Sequence, residues 1–310
     1  MLRSMYSGIS GLKNFQTKLD VIGNNISNVN TYGFKKSRVV FKDLVSQTTS
    51  GASAPTGTTG GVNAKQVGLG SQIAAIDTMT GTGSLQTTSR TLDLAISGDG
   101  YFQVADGNGP NPTGFSNTEY TRAGNFYMDK DGYLVNSDGK YLVGYSTGIA
   151  AGTGTADIDF PDATANSLGN ANLADANGVI SNATDYKPIR IPTNAQSMSI
   201  AQDGKVSFVD SAGTLRYAGS IVLAKFPNAG GLEKVGSNSF QASANSGNPI
   251  LATGTSQGMG SIQSGFLEMS NVDLSEEFTD MIVTQRGFQA NSRIITTSDE
   301  ILQELVNLKR

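Results

Sequence analysis

The chain has 310 residues, of which 15% are charged and 37% apolar, with 38 glycines and a formal net charge of −4. It contains no Cys, His or Trp, which excludes thiolate and imidazole zinc centres, Cys-His nucleophiles and every Ser-His-Asp triad. The acidic balance argues against a nucleic-acid partner, and no run approaches the roughly 18 apolar residues needed to span a bilayer.

The length allows two or three compact domains. With so few charges, the surface must be largely Ser, Thr, Asn, Gln and Gly, so copies can meet without burying many ions, which would be costly. Without cysteine there are no disulfides from which to read a compartment. The first residues, MLRSMYSGISGL, have neither a continuous apolar core nor a cleavage pattern, so no conventional signal peptide is expected.

Taken in chain order, the first apolar residues are Leu2, Met5, Ile9, Leu12, Phe15, Leu19, Ile22 and Ile26, always three or four apart. Met5, Leu12, Leu19 and Ile26 repeat every seven, as do Phe15 and Ile22. This spacing predicts a helix over 4–28 with one apolar stripe of coiled-coil type, about 37 Å long. It ends in NNISNVNTYGF, where Asn24, Asn25 and Asn28 can adopt the left-handed conformation that stops a helix and offer amides to nearby backbone. Tyr32, Gly33 and Phe34 then turn the chain away.

Residues 46–70, including GASAPTGTTGG, are expected as an extended linker. From 71 onward, SQIAAIDTM, LDLAISGDGYFQVA, GYLVN and KYLVGY read as short strands between Asp-Gly and Ser-Gly turns. MDKDGYLVNSDGKYLVGY is echoed by IAQDGKVSFVDSAGTLRYAG, which places both in one β domain, 71–145 with 188–267. The stretch 146–187, rich in Gly, Ala, Asn, Thr and Asp, is a small β insertion or a surface loop.

The last segment returns to helical spacing. Asp273 is a candidate cap and Glu276 occupies the capping-box position. Met281, Phe288, Ile295 and Leu302 repeat every seven, Ile294, Ile301 and Leu308 form a second row, and Leu305 joins the apolar set. The predicted helix is about 50 Å long, with Gly287 as a soft point. Residues 1–45 carry seven Lys/Arg against two Asp, whereas 273–310 carry seven Asp/Glu against four Lys/Arg, so the two ends attract. The fold class expected is therefore mixed α and β: terminal helices from 1–45 and 268–310 paired beside a mainly antiparallel β body. The pair either docks internally or meets neighbouring subunits; two helices alone cannot cover stripes this wide.

Candidate chemistry is sparse. In DKDGYLVNSDG, Gly132 stands at position four and Lys140 at position twelve, which does not fit a calcium loop and reads as two hairpin turns. Gly107, Gly109 and Gly114 lack the Lys-Ser/Thr of a phosphate loop. Of the seven Glu residues only Glu119 and Glu233 lie outside the stretch from 268 onward, and many Asp residues sit where turns favour them. No catalytic residue, metal, cofactor or enzymatic activity is expected.

Two long motifs carry a resemblance. LDVIGNNISNVNTYGFKKSR, Leu19–Arg38, and GFLEMSNVDLSEEFTDMIVTQRGFQANSRIITTSDEILQELVNL, Gly265–Leu308, resemble the N- and C-terminal signatures of the bacterial flagellar rod and hook axial proteins. LDLAISGDGYFQV, YTRAGNF and GSIVLAKFPNAGGLEKVG resemble the family's β body. The motif residues are Asn24, Asn25, Asn28, Tyr32, Gly33, Phe34, Ser270, Asn271, Val272 and Asp273. TYGFK and VGLG lean toward hook subunits, with the distal rod as the alternative; the short 146–187 stretch departs from the large outer domain of many hook proteins.

The resemblance implies a subunit that polymerises into a helical tube outside the cell membrane, its helices lining the inner wall and the hook bending as a universal joint. It also implies export by the flagellar type III apparatus without a cleaved signal. The partners implied are further copies, the rod, a hook cap and the hook–filament junction, with no nucleic acid and no membrane insertion. A different class, a secreted surface-binding or carbohydrate-active β protein, predicts instead a stable monomer.

Overall fold

The computed structural model describes residues 2–108, 115–146 and 186–308. Most of the 146–187 stretch, and Gly109 and Gly114 of the glycine-rich run, lie outside the described residues. The chain forms two compact units. One comprises Met1–Val29, Lys36–Met79 and Val272–Arg310; the other comprises Asn30–Lys35 and Thr80–Asn271.

The first unit holds helix α1 (Leu2–Ser27), strands β1 (Ser37–Asp43), β2 (Ser46–Ser50), β3 (Lys65–Gly68) and β4 (Ser71–Thr78), and helix α2 (Leu274–Asn307). The helices run about 39 and 51 Å at 1.5 Å per residue. They pack antiparallel, because Gly8 faces Ile295, Gly11 faces Asn291 and Gly287 faces Phe15.

Two expectations for this region change. Residues 46–70 are not a plain linker: β2 and β3 pair as an antiparallel hairpin, Ser46 opposite Gly68. The SQIAAIDT strand, β4, pairs with β1, Ser37 opposite Thr78, and belongs to the helical unit. Strand pairing across about thirty intervening residues leaves no local signature. The β1–β4 ribbon packs on α1 through Phe15 and Phe41, with ring centres 6.2 Å apart. Asn14 donates to Ser71 Oγ at 2.8 Å on the same side.

The second unit is the β body. Its strands are β5 (Leu85–Thr87), β6 (Leu94–Ser97), β7 (Tyr101–Gly107), β8 (Phe115–Thr121), β9 (Tyr127–Met128), β10 (Leu134–Val135), β11 (Tyr141–Ser146) and β12 (Tyr186–Pro188). They continue with β13 (Ser197–Ile200), β14 (Lys205–Val209), β15 (Leu215–Lys225), β16 (Glu233–Gly236), β17 (Ser239–Gln241), β18 (Ile250–Thr253), β19 (Ser261–Ser264) and β20 (Phe266–Glu268). Twelve of them form one sheet whose main path is β13-β14-β15-β11-β7-β8-β17-β16, and β19–β6 and β20–β5 form separate ribbons. Each ladder in this unit is antiparallel. The core is a cluster around Leu94, Ile96, Phe102, Phe126, Leu134 and Leu223, each at most 1% exposed.

The sequence echo is a repeated structure. The first copy runs β9–β10–β11 and the second β13–β14–β15, and their last strands lie side by side, Gly144 opposite Ile221. In each copy both turns close onto a glycine: Gly132 and Gly139 donate to Asp129 and Asn136 carbonyls, and Gly204 and Gly213 to Ala201 and Asp210 carbonyls. All four have φ between 79° and 90°, a region that favours glycine. The DKDGYLVNSDG run is thus two hairpin turns.

Candidate assembly site

The seam between α1 and α2 sets small residues of one helix against larger side chains of the other: Gly8 against Ile295, Gly11 against Asn291 and Gly287 against Phe15. An added Cβ on Gly11 would lie 2.4 Å from Asn291 Nδ2, and one on Gly287 2.8 Å from the Phe15 ring. Gly287 is therefore a close-approach position that seats Phe15, not a soft point. The α2 residues buried within the unit are Glu277, Thr284 and Ser298, at the heptad spacing of a packed helix face. On α1 the buried positions are Gly8, Gly11, Asn14, Ile22 and Asn25.

Asn25 ties three elements together. Its Nδ2 donates to the Ser37 carbonyl at 2.9 Å and to Glu277 Oε2 at 3.2 Å, and its Oδ1 accepts from Ser37 N at 3.0 Å. The charge complementarity of the two ends appears as Lys18–Asp280 at 3.2 Å and Lys36–Glu276 at 2.7 Å. Asp273 caps α2 by accepting from Ser275 N and Glu276 N. Glu276 turns to Lys36 instead of closing a capping box.

The helix stop also differs from expectation. Asn24, Asn25 and Asn28 are not left-handed, and in the motif only Gly33 has positive φ, at 70°. The end is made by short-range bonds: Asn28 N reaches the Asn24 and Asn25 carbonyls, and Asn28 Nδ2 reaches Asn24 O and Oδ1. This satisfies orphan carbonyls at the helix terminus.

Residues 30–35 form a strap on the β body. Gly33 N donates to the Glu268 carbonyl at 2.8 Å, and a Cβ on Gly33 would lie 2.5 Å from backbone atoms of Arg122 and Ala123. Asn238 Nδ2 donates to the Tyr32 carbonyl at 3.0 Å, and Phe34 is buried. The strap ends in Lys35, whose side chain is fully buried and donates to Glu268 Oε1 at 2.6 Å and to the Gly81 carbonyl at 2.8 Å. Glu268 also accepts from Arg122 Nη1 at 3.1 Å and Gly83 N at 2.9 Å. Burial, opposed by Glu268 and reinforced by Arg122, holds the Lys35 pKa below its ordinary value.

The apolar residues singled out in sequence divide three ways. Ile22 is buried; Met5, Leu12, Phe15, Leu19, Ile26, Met281, Ile295 and Leu302 are half-buried. Ile9, Phe288 and Leu305 are exposed, as is the second row of α2, Ile294, Ile301 and Leu308. The apolar surface also includes residues the heptad count did not select: Tyr6, Phe278, Ile282 at 54% and Val283 at 60% exposed. Sequence reading missed the close seam and the Lys35–Glu268–Arg122 cluster. A sign of the cluster was present: Glu268 is one of only three Glu residues before the C-terminal helix.

Three family models match the chain. "Flagella basal body rod protein" matches 5–35, "Flagellar hook protein FlgE/F/G D1 domain" 95–208, and "Flagellar basal body rod FlgEFG protein C-terminal" 263–308. The flagellar basal-body rod protein FlgG of Bacillus subtilis (strain 168) is 53% identical over 311 residues, covering 100% of both chains. This chain belongs to the flagellar rod and hook protein family.

Within this family of flagellar structural proteins, the hook protein FlgE of Borreliella burgdorferi is 34% identical over 449 aligned positions, again covering 100% of both chains. The rod protein FlgG of the same organism is 35% identical over 312, covering 100% of both. The crystal structure of Helicobacter pylori flagellar hook protein FlgE2 matches 38% of this chain and 24% of that one at 26% identity. Its TM-score of 0.22 is too low to bear on the fold. The rod and hook motif residues at 24–34 and 270–273 fall in or beside the terminal family matches. No helix among the described residues is long and apolar enough to cross a membrane.

Proposed function

We propose that the chain is a subunit of the flagellar distal rod, polymerising through its terminal helices into a helical tube. The observation that carries this is the length match: the alignment to the Bacillus rod protein runs 311 positions at 53% identity, whereas those to the hook proteins of Borreliella burgdorferi and Treponema pallidum run 449 and 471. The extra hook residues have no counterpart in a 310-residue chain. The exposed rows on α2 supply the apolar surface that further copies would bury, and association driven by that burial is the strongest non-directional attraction available.

The hook reading, with its role as a torque-transmitting universal joint, is favoured by the 34% identity to the Borreliella hook protein across the whole chain. Electron microscopy of a deletion strain separates the two. Loss of a distal rod subunit removes the outer rod and the hook together, whereas loss of a hook subunit leaves the rod standing. In either case a chain lacking 280–310 should fold its β body and form no tubes; tubes from that truncation would sink the helix-driven assembly. Export through the flagellar apparatus and contacts with the neighbouring axial, cap and junction proteins complete the reading.

A further inference from the structure

A cleft of about 380 Å³ opens on the β body, lined among others by Asp99, Tyr101, Arg122, Lys225 and the turn at 227–230. Arg122 is only 3% exposed. Its Nη1 donates to Glu268 Oε2 and, at 3.4 Å, to the Ile96 carbonyl, and its Nη2 donates to the Gly98 carbonyl at 2.8 Å. Its Nε is itself buried and has no partner among the described residues. Buried polar groups are nearly always paired, so an unpaired guanidinium N–H beside a polar cleft calls for an acceptor.

The charges point the same way. Among the described residues Lys35 and Arg122 share one carboxylate, Glu268, which leaves the buried cluster with one positive charge in excess. At the mouth, Lys225 and Asp99 pair at 3.1 Å and cancel. The Tyr101 ring, under Arg122 at 5.2 Å, supplies only its quadrupole. Buried charges without a counter-ion are expensive, and Arg122 is the member of the cluster that lines the cleft.

We propose that this cleft is an oxyanion site, taking a carboxylate or phosphate group that balances Arg122, with Lys225 closing on it from the rim. The group is either a free anion or an acidic side chain of a second copy; the latter source rests on the assembly reading above, the site itself does not.

The probe is inorganic phosphate replacing chloride at constant ionic strength, with the full chain melted by calorimetry. Phosphate at about five times its dissociation constant should raise the melting temperature of the β body by roughly 2–4 °C. Lys225→Met should abolish most of that rise, and Asp99→Asn, which removes the one carboxylate at the mouth, should lower the half-maximal phosphate concentration several-fold. Both side chains are at the rim, outside the Glu268 pairs. No rise in the wild type, or equal rises in the wild type and Lys225→Met as a general salt effect would give, overturns the proposal. Growth of assembled tubes then identifies the source. If phosphate slows growth of the wild type several-fold but not of Lys225→Met, the group is a neighbour's carboxylate; if growth is unchanged while the melting shift persists, it is a free anion.

Discussion

The Lys35–Glu268–Arg122 cluster makes an unequal prediction for its members. Glu268→Gln keeps the shape but leaves two cations 0–3% exposed with no counter-charge, and breaking a buried ion pair this way costs about 3–5 kcal/mol. Lys35→Met removes one cation and leaves Glu268 with Arg122 Nη1 and Gly83 N as donors. Its loss is a charged hydrogen bond and a partner for the Gly81 carbonyl, offset by no longer desolvating an ammonium, roughly 1–2 kcal/mol in all. The double variant Lys35→Met/Glu268→Gln carries one unpaired cation in place of two, so it should be more stable than Glu268→Gln alone. The assay is calorimetric melting with far-UV circular dichroism, since the chain has ten Tyr and no Trp to report by fluorescence. At about 2–4 °C per kcal/mol for a unit of this size, the single variants should be readily separated. If Lys35→Met costs as much as Glu268→Gln, or if the two losses simply add, the charge imbalance assigned to this cluster is wrong.

Gly33→Ala must place a Cβ at φ 70° against the Arg122–Ala123 backbone; strain of about 1–2 kcal/mol plus overpacking of about 1–3 kcal/mol should loosen the strap, seen as faster hydrogen exchange at the residue-33 amide. Burial pushes the Tyr217 phenol up to about 12, so its share of stability is intact below pH 10 and is lost as pH rises toward 12, at about 1.4 kcal/mol per pH unit. Tyr217→Phe should flatten that alkaline loss, and denaturation curves that stay parallel from pH 10 to 12 would contradict it. Ile282→Ser and Ile301→Ser replace exposed residues and should change folding stability by no more than about 0.5 kcal/mol. If each side chain is covered in the polymer at about 1.5 kcal/mol or more, the critical concentration for assembly should rise roughly tenfold per substitution, read by sedimentation.

The helices were legible because their signal is periodic and local. Three-and-four spacing from Met5 to Ile26, the Asp273 cap and the seven-residue repeat from Met281 to Leu302 all lie within single elements. The paired Asp-Gly turns were legible for the same reason: a glycine at φ near 80° leaves a mark four residues wide. What the sequence hid is whatever joins distant segments. β1 meets β4 across a hairpin of Ser, Thr and Gly that reads as linker, and Lys35 meets Glu268 across 233 positions. A lysine in TYGFK, next to a phenylalanine and followed by another lysine, carries no sign that one ammonium is sealed and its neighbour is half-open.

The helix pair is built with its polarity reversed relative to a self-sufficient hairpin. Three glycines let the backbones approach closely, and the buried α2 positions, Glu277, Thr284 and Ser298, are polar. A close seam of this kind fixes register through bonds such as Asn25–Glu277, because an unmatched buried polar group is penalised more heavily than a matched one is rewarded. Phe278, Ile282, Val283, Ile294 and Ile301 stay on the outside, apolar surface on a helix whose own partner specifies alignment. In the proposed assembly, register from the polar side and adhesion from the apolar side are separable functions. For that reason a serine at 282 or 301 should weaken assembly while leaving the alignment of the pair intact, and a substitution at Asn25 should disturb alignment before it changes adhesion.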